Sequence, residues 1–292
     1  MRALVTGATG KVGHATARTL VAAGHEVRAL VRDPARAASI LPEGVEPVAG
    51  DVTDRASVDA AATGCEVVFN AMGLPEQWLA DEQTFDRVNA GGSENVALAA
   101  RRANARRLVH TSTIDVFHAE RGARFDESHM ADYPKGTAYE RSKQRAEELV
   151  LRAAGPDLEV VMTNPCAVYG PGPSGSASLE QDVFKPLVRG RLPALTPGGF
   201  GLVYSDGVGR GHLLAAEKGE PGERYILCDG HLTLKQLADL VVEIAGRATP
   251  SPANASALAR GTGSTGGTRP RPAISTTRSA SCFSVRWPSQ RM

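Results

Sequence analysis

Aromatic side chains are scarce in this chain, 5% of its 292 residues, and the stretch after Pro171 offers Phe184, Phe200 and Tyr204 but no run of rings. A stacking platform of the kind that marks a polycyclic or nucleotide substrate is therefore missing, and the substrate is not legible. Charge of one sign is scarce as well. A formal net charge of +1 lacks the concentrated basic field that nucleic acid or an anionic membrane surface would require. Four cysteines, Cys65, Cys166, Cys228 and Cys282, show neither a C-x-x-C pair nor metal-ligand spacing, so reduced thiols and no metal centre are expected. No run of eighteen apolar residues occurs, and Met1 leads straight into a strand-like segment without a basic, then apolar, leader. A soluble cytoplasmic protein is the expectation, with a small molecule and neither nucleic acid nor membrane as partner.

What is present is a glycine array. Ala3-Leu4-Val5 is strand-like, Gly7, Gly10 and Gly13 follow at three-residue spacing, and Val12, Ala15 and Leu20 begin an amphipathic helix. Glycine supplies positive φ in a tight turn and lets backbone approach a pyrophosphate without a Cβ. The helix behind it turns free N–H groups and a positive dipole end toward phosphate. A second strand, Glu26–Val31, completes a βαβ unit on schedule, which turns a weak glycine motif into a dinucleotide-binding expectation. Thr9, Lys11 and Val12 lie within the same turn.

The second strand ends in Arg32-Asp33-Pro34. An arginine there accommodates the 2′-phosphate of NADP, whereas a carboxylate holds the ribose hydroxyl of NAD. Arg32, with Arg36 in support, favours NADP(H) over NAD(H). The alternative is that Arg32 is a solvated charge and Asp33 takes the ribose. Further on, Val45–Val48 reads as a strand, Asp51 and Val52 stand at its end, and a helix runs from Ala56 to about Thr63, capped by Thr53 or Asp54. Asp51 is placed to accept from the adenine amino group. Glu66–Asn70 is a fourth strand, and the small residues around it, Ala71, Met72 and Gly73, let backbone line the cofactor's central region.

Residues 74–81 read as a loop over the site. Phe85–Arg101 is helical by periodicity, interrupted at Gly91-Gly92, with Asn89 as a structural hydrogen-bonder. A fifth strand, Arg107–Thr113, runs into three hydroxyl residues. Tyr139 and Lys143 then stand at i, i+4, on one face of a helix. An ammonium beside a phenol favours phenolate and brings tyrosine toward useful acid–base chemistry.

These motifs, with Asn164-Pro-Cys-Ala-Val-Tyr-Gly-Pro-Gly172, make the chain resemble the extended short-chain dehydrogenase/reductases over about residues 1–249, and within them the dihydroflavonol-4-reductase-like proteins and the NAD-dependent epimerase/dehydratases. The resemblance implies an α/β fold, a Rossmann-like doubly wound parallel sheet with a small C-terminal substrate lobe. It implies a dinucleotide-binding domain over 1–170 and a substrate lobe over 171–249, with segments returning to the core. It makes Tyr139 the acid–base residue, Lys143 the ribose-holding cation, Thr113 the hydroxyl on the substrate oxygen, and Pro165 to Val168 the nicotinamide side. Asn164 is assigned to the substrate. A homodimer is left open. Ile114-Asp115 stands where the family's dehydratases carry Asp-Glu, which speaks against elimination. The expected activity is NADP(H)-dependent interconversion of a carbonyl and an alcohol. The alternatives are a nucleotide-sugar epimerase with tightly bound NAD and a non-catalytic dinucleotide-sensing regulator.

In the later part, residues 179–188 read as helix and 190–201 as loop, Arg224–Cys228 as a strand, and Leu234–Ala245 as a helix with Leu237, Leu240, Val241 and Ile244 as core-builders. His212 reads as a structural histidine in an apolar helix, and Gly207 stands where family members carry an aspartate. From Pro250 there are six arginines, no acidic residue and little apolar periodicity. Such a segment cannot offset its ordering entropy; it departs from the family, as a shifted reading frame would make it.

Overall fold

The computed structural model describes residues 1–246 apart from Glu76, Trp78, Arg121, 174–178, 192–194 and 196. The expected tail from Pro250 and part of the 74–81 loop lie outside the described residues.

The chain begins with β1 (Arg2–Thr6), α1 (Lys11–Ala22), β2 (Glu26–Val31), the single turn α2 (Pro34–Ala37), β3 (Val45–Ala49), α3 (Arg55–Ala62) and β4 (Val67–Asn70). A short α4 (Gln83–Phe85) runs through a π-helical turn, Asp86–Gly91, into α5 (Gly92–Arg102), and β5 (Arg107–Thr111) follows. Next come α6 (Ala138–Ala153), β6 (Glu159–Pro165), β7 (Ala167–Tyr169), a π-helical turn at Glu180–Phe184, α7 (Lys185–Val188), β8 (Gly199–Tyr204), α8 (Ser205–Lys218), β9 (Arg224–Leu227), β10 (Gly230–Thr233) and α9 (Leu234–Ala245).

Seven strands form one parallel sheet in the order β3-β2-β1-β4-β5-β6-β9. The order reverses between β1 and β4, and at that switch point such sheets open a crevice at their carboxyl edge. Successive residues of one strand serve opposite layers. Leu4, Val68 and Leu108 pack with Val96 of α5 and Val150 of α6, whereas Val5, Phe69 and Val109 pack with Leu20 of α1 and Ala215 of α8. Both faces are thus covered, which is why these strands read as continuous apolar runs. Among the described residues no helix is long and apolar enough to cross a membrane.

A smaller sheet, β10-β8-β7, stands beside the large one. It corrects two expectations. Residues 199–201 belong to strand β8, pairing with both β7 and β10; periodicity hid them because glycines occupy two of the three positions. On α9, Leu237, Ala238 and Val242 are buried while Leu240 and Ile244 are exposed. The helix meets its neighbours along a stripe rotated from the most apolar one. Its start is as the sequence dictates: Thr233 and Gln236 form a reciprocal capping box. Gly207 lies in the first turn of α8, where a Cβ would find only ordinary contacts near Asp229 and Val203.

Candidate active site

The glycine turn after β1 needs its glycines for different reasons. Gly7 has φ +72°, and a Cβ there would lie 2.6 Å from the Ala71 carbonyl oxygen. A Cβ on Gly13 would run into the Gly7 carbonyl, so α1 could not sit against the turn. Gly10 is free of such crowding, with its nearest neighbour at 3.4 Å. It caps α1 in an extended conformation without a side chain, so its bare edge adjoins the helix N-terminus. Gly7, Thr9 and Gly10 line a cleft of about 440 Å³ that crosses the carboxyl ends of β2, β1 and β4.

Arg32, Asp51, Val52 and Thr53 line the same cleft. Asp51 Oδ1 accepts from the Thr53 N–H at 2.8 Å and hydroxyl at 2.7 Å, and the backbone bond first of all holds its pKa below the usual carboxylate value, with Arg32 adding to it. Asp33 does not join the cleft lining. Its Oδ1 accepts from the Arg36 N–H at 3.0 Å and so caps α2. Asp54, rather than Thr53, caps α3 through the Ala56 N–H.

Ala71, Met72, Gly73 and Leu74 continue the cleft, and Arg87 and Val88 of the π-helical turn face it. Asn89, one turn residue further, is buried and fixes this wall. Its Oδ1 accepts from the Leu74 N–H at 2.7 Å, and its Nδ2 donates to Ser142 Oγ at 3.0 Å, which in turn donates to the Tyr139 carbonyl at 2.6 Å. The start of α6 is thereby tied to the wall of the cleft. Thr137 and Glu140 form a capping box there, so Tyr139 sits in a fixed first turn, its ring edge-to-face with Phe85 at 6.1 Å.

Lys143, one turn on, is buried, and its Nζ donates to the Thr111 carbonyl at 2.7 Å. A Cβ on Gly73 would lie 3.9 Å from the same nitrogen, which places the ammonium at the edge of the cleft. Burial pulls its pKa down to about 8, against the pull of Glu147. Thr113 begins a 3₁₀ turn, Ile114–Val116. Its Oγ1 donates to Asp115 Oδ2 at 2.7 Å and accepts from the Asp115 N–H at 3.3 Å.

Thr113, Tyr139 and Lys143 stand beyond the cleft's own lining, Lys143 behind Gly73, and Asn164 lies deeper still. Its side chain is fully buried beneath Thr113, with Nδ2 shared between the Thr113 carbonyl at 3.0 Å and Glu147 Oε1 at 3.1 Å. Glu147 in turn takes Arg224 Nε on its other oxygen at 2.8 Å. Lys11 also turns from the cleft: its Nζ binds the Gly170 carbonyl at 3.0 Å and Glu180 at 2.5 Å, joining α1 to the chain after β7. Val12 and Val168 pack on the cluster of Val116, Phe117 and Ile226, so their side chains serve the core, and Pro165 closes β6 beside Leu227. His212 is structural as expected. It binds the Thr111 and Thr163 hydroxyls and the Val208 carbonyl, and burial takes its pKa to about 4.

Arg87, Asp115 and Glu147 join the site from the structure. In the sequence Glu147 is signalled by its spacing from Lys143, one more turn along the same face of α6, and Asp115 by its departure from the dehydratase pattern, while Arg87 carries no signal.

A cleft with glycines at a helix N-terminus, an arginine and an aspartate among its lining, and a buried lysine just behind Gly73 fits an extended dinucleotide. The family model for the NAD dependent epimerase/dehydratase family matches residues 3–228. The chain belongs to that family. It is 34% identical over 251 residues to sterol demethylase protein B of Methylococcus capsulatus, covering 86% of this chain and 76% of that protein. It is 35% identical over 251 residues to a 4-hydroxy-2-methyl-3-oxo-4-farnesyl-3,4-dihydroquinoline-1-oxide ketoreductase of Stigmatella aurantiaca, covering 84% and 74%. The structure of a nucleoside-diphosphate-sugar epimerase from Pseudomonas aeruginosa superposes with a TM-score of 0.74 at 25% identity, covering 89% of this chain and 83% of that one. This member is thus an NAD(P)-dependent enzyme of the extended short-chain dehydrogenase/reductase type, an oxidoreductase or an epimerase.

Proposed function

We propose that this family member is an NADP(H)-dependent carbonyl reductase, or the dehydrogenase of the matching alcohol, acting on a small organic molecule. The observation that carries the reading is Lys143: a buried ammonium at the cleft edge, one helical turn from Tyr139. An ammonium that is buried beside a cleft without an ion-pair partner in contact is suited to holding a ligand and favouring a phenolate. The nicotinamide supplies hydride to the carbonyl carbon when bound. Tyr139 gives its phenolic proton to the carbonyl oxygen, and Lys143 holds the ribose and stabilises the phenolate left behind. Thr113 steadies the substrate oxygen. Gly7, Gly10 and Gly13 seat the pyrophosphate.

Arg32 supports NADP(H), because it lines the cleft while Asp33, the competing ribose ligand, is spent on a helix cap. Residues 171–249 are assigned to the substrate. The ketoreductase relative supports carbonyl reduction. The epimerase reading is favoured by the Pseudomonas structure, and it predicts no net consumption of nicotinamide.

A panel of ketones and aldehydes, followed at the nicotinamide absorbance, tests this. Tyr139→Phe should lower turnover by about 10²- to 10⁴-fold with cofactor affinity retained; undiminished turnover would overturn the role. Arg32→Ala should weaken NADPH by about tenfold or more and leave NADH unchanged, and an unaltered preference would count against the NADP(H) assignment.

A further inference from the structure

The Thr113 hydroxyl is already engaged before any substrate arrives. Its proton points to Asp115 Oδ2 at 2.7 Å, and one of its lone pairs receives the Asp115 N–H at 3.3 Å. A hydroxyl has one proton and two lone pairs. With Asp115 ionised, Thr113 can therefore only accept from a substrate. An alcohol satisfies that demand and a carbonyl oxygen does not.

We propose that Asp115 is a positioning residue that sets the direction of the Thr113 hydroxyl: as a carboxylate it takes the proton and matches Thr113 to an alcohol, and as a carboxylic acid it donates to Thr113 and frees that O–H for a carbonyl. This rests on the reading of Thr113 as the residue touching the substrate oxygen. The charged groups facing Asp115 are Glu140 from the first turn of α6 and Lys135 from the segment before it. Lys135 is anchored to the Phe117 carbonyl at 2.9 Å and Glu140 to the Thr137 N–H at 2.8 Å. Burial raises the carboxyl above its usual value, Glu140 pushes the same way, and the Thr113 hydroxyl and Lys135 oppose. The exchange between the two states thus falls above the ordinary range of an aspartate, nearer to working pH.

Two measurements test the proposal. In the first, the full chain without ligand carries ¹³C-labelled aspartate carboxyls, and Asp115→Asn identifies the Asp115 resonance. Asp115 should titrate above an ordinary aspartate, and higher still in Thr113→Val, which loses the hydroxyl donor. An ordinary value, or the same value in both proteins, overturns the coupling. In the second, the panel carbonyl with the fastest Tyr139-dependent turnover is bound beside the oxidised cofactor, and its alcohol beside the reduced one, so that no reaction runs, and both dissociation constants are followed across that titration. As pH rises, the carbonyl should bind about tenfold more weakly while the alcohol does not weaken, and Asp115→Asn should remove this difference. A pH-dependent difference that persists in Asp115→Asn overturns the proposal. Absence of Tyr139-dependent turnover sinks the reductase reading, and with it any catalytic role for the pair, while the carboxyl titration separately decides whether the two side chains are coupled.

Discussion

One turn of α6 separates two side chains that are equally hidden and very differently furnished. Glu147 has a partner for each oxygen, Asn164 on one and Arg224 on the other. Lys143 has the Thr111 carbonyl and, for charge, only the more distant pull of Glu147. Buried charge with a partner on each oxygen serves the scaffold, because removing either partner leaves an uncompensated charge. Buried charge left short of partners costs stability and is found where a ligand completes it. The contrast marks the cleft edge as the working end of the helix and the floor beneath Thr113 as its support.

The sharpest way to break this comparison is Lys143→Met. It should lower turnover by about 10²- to 10³-fold yet raise the stability of the cofactor-free protein by about 2 kcal/mol, since the burial that holds the ammonium's pKa at about 8 instead of 10.5 no longer opposes folding, less the hydrogen bond to Thr111. Urea unfolding beside the absorbance assay checks both halves, and a destabilised variant would place Lys143 with the scaffold. Glu147→Gln should do the opposite. It leaves Arg224 without its charge partner and should cost about 3 kcal/mol, with cofactor affinity nearly kept. A fully stable Glu147→Gln would show that the floor is not held by this pair.

Per unit of pH, the smallest effect is a pH dependence. The Lys143 pKa is about 8 in the folded protein against 10.5 for the free side chain, so between these values the unfolded chain binds more protons. Stability should therefore rise with pH across about 8 to 10.5, by at most about 1.4 kcal/mol per pH unit. The penalty is fully present below 8. Taking the difference between wild type and Lys143→Met at each pH cancels the other lysines and tyrosines, and a flat difference would mean that the buried amine keeps its ordinary affinity for protons.

Sequence made the cofactor end readable because its devices are local. Gly7, Gly10 and Gly13 stand within one turn, and Tyr139 and Lys143 within one helical turn, so spacing alone conveys shared orientation. The support was hidden because it is assembled across strands. Nothing near Asn164 in the sequence announces that its amide will be spent on Thr113 and Glu147. Asp115 was seen as a departure at a family position, yet its bond to Thr113 depends on a 3₁₀ turn that periodicity cannot show. Strand β8 was concealed by its glycines, and the buried stripe of α9 by two exposed apolar residues, Leu240 and Ile244, that hydropathy alone would send inward.

The Arg224–Glu147 bond spans 77 residues, and that separation has a consequence for the order of assembly. During synthesis α6 is complete well before β9 leaves the ribosome, so its buried carboxylate must wait for the guanidinium that neutralises it. Contacts of such long sequence separation form late, after the entropy of closing the loop has been met. The helix bearing Tyr139 and Lys143 thus gains the guanidinium that neutralises its buried carboxylate only when the last strand of that sheet arrives, so this part of its support is completed after the nucleotide-binding half has taken shape.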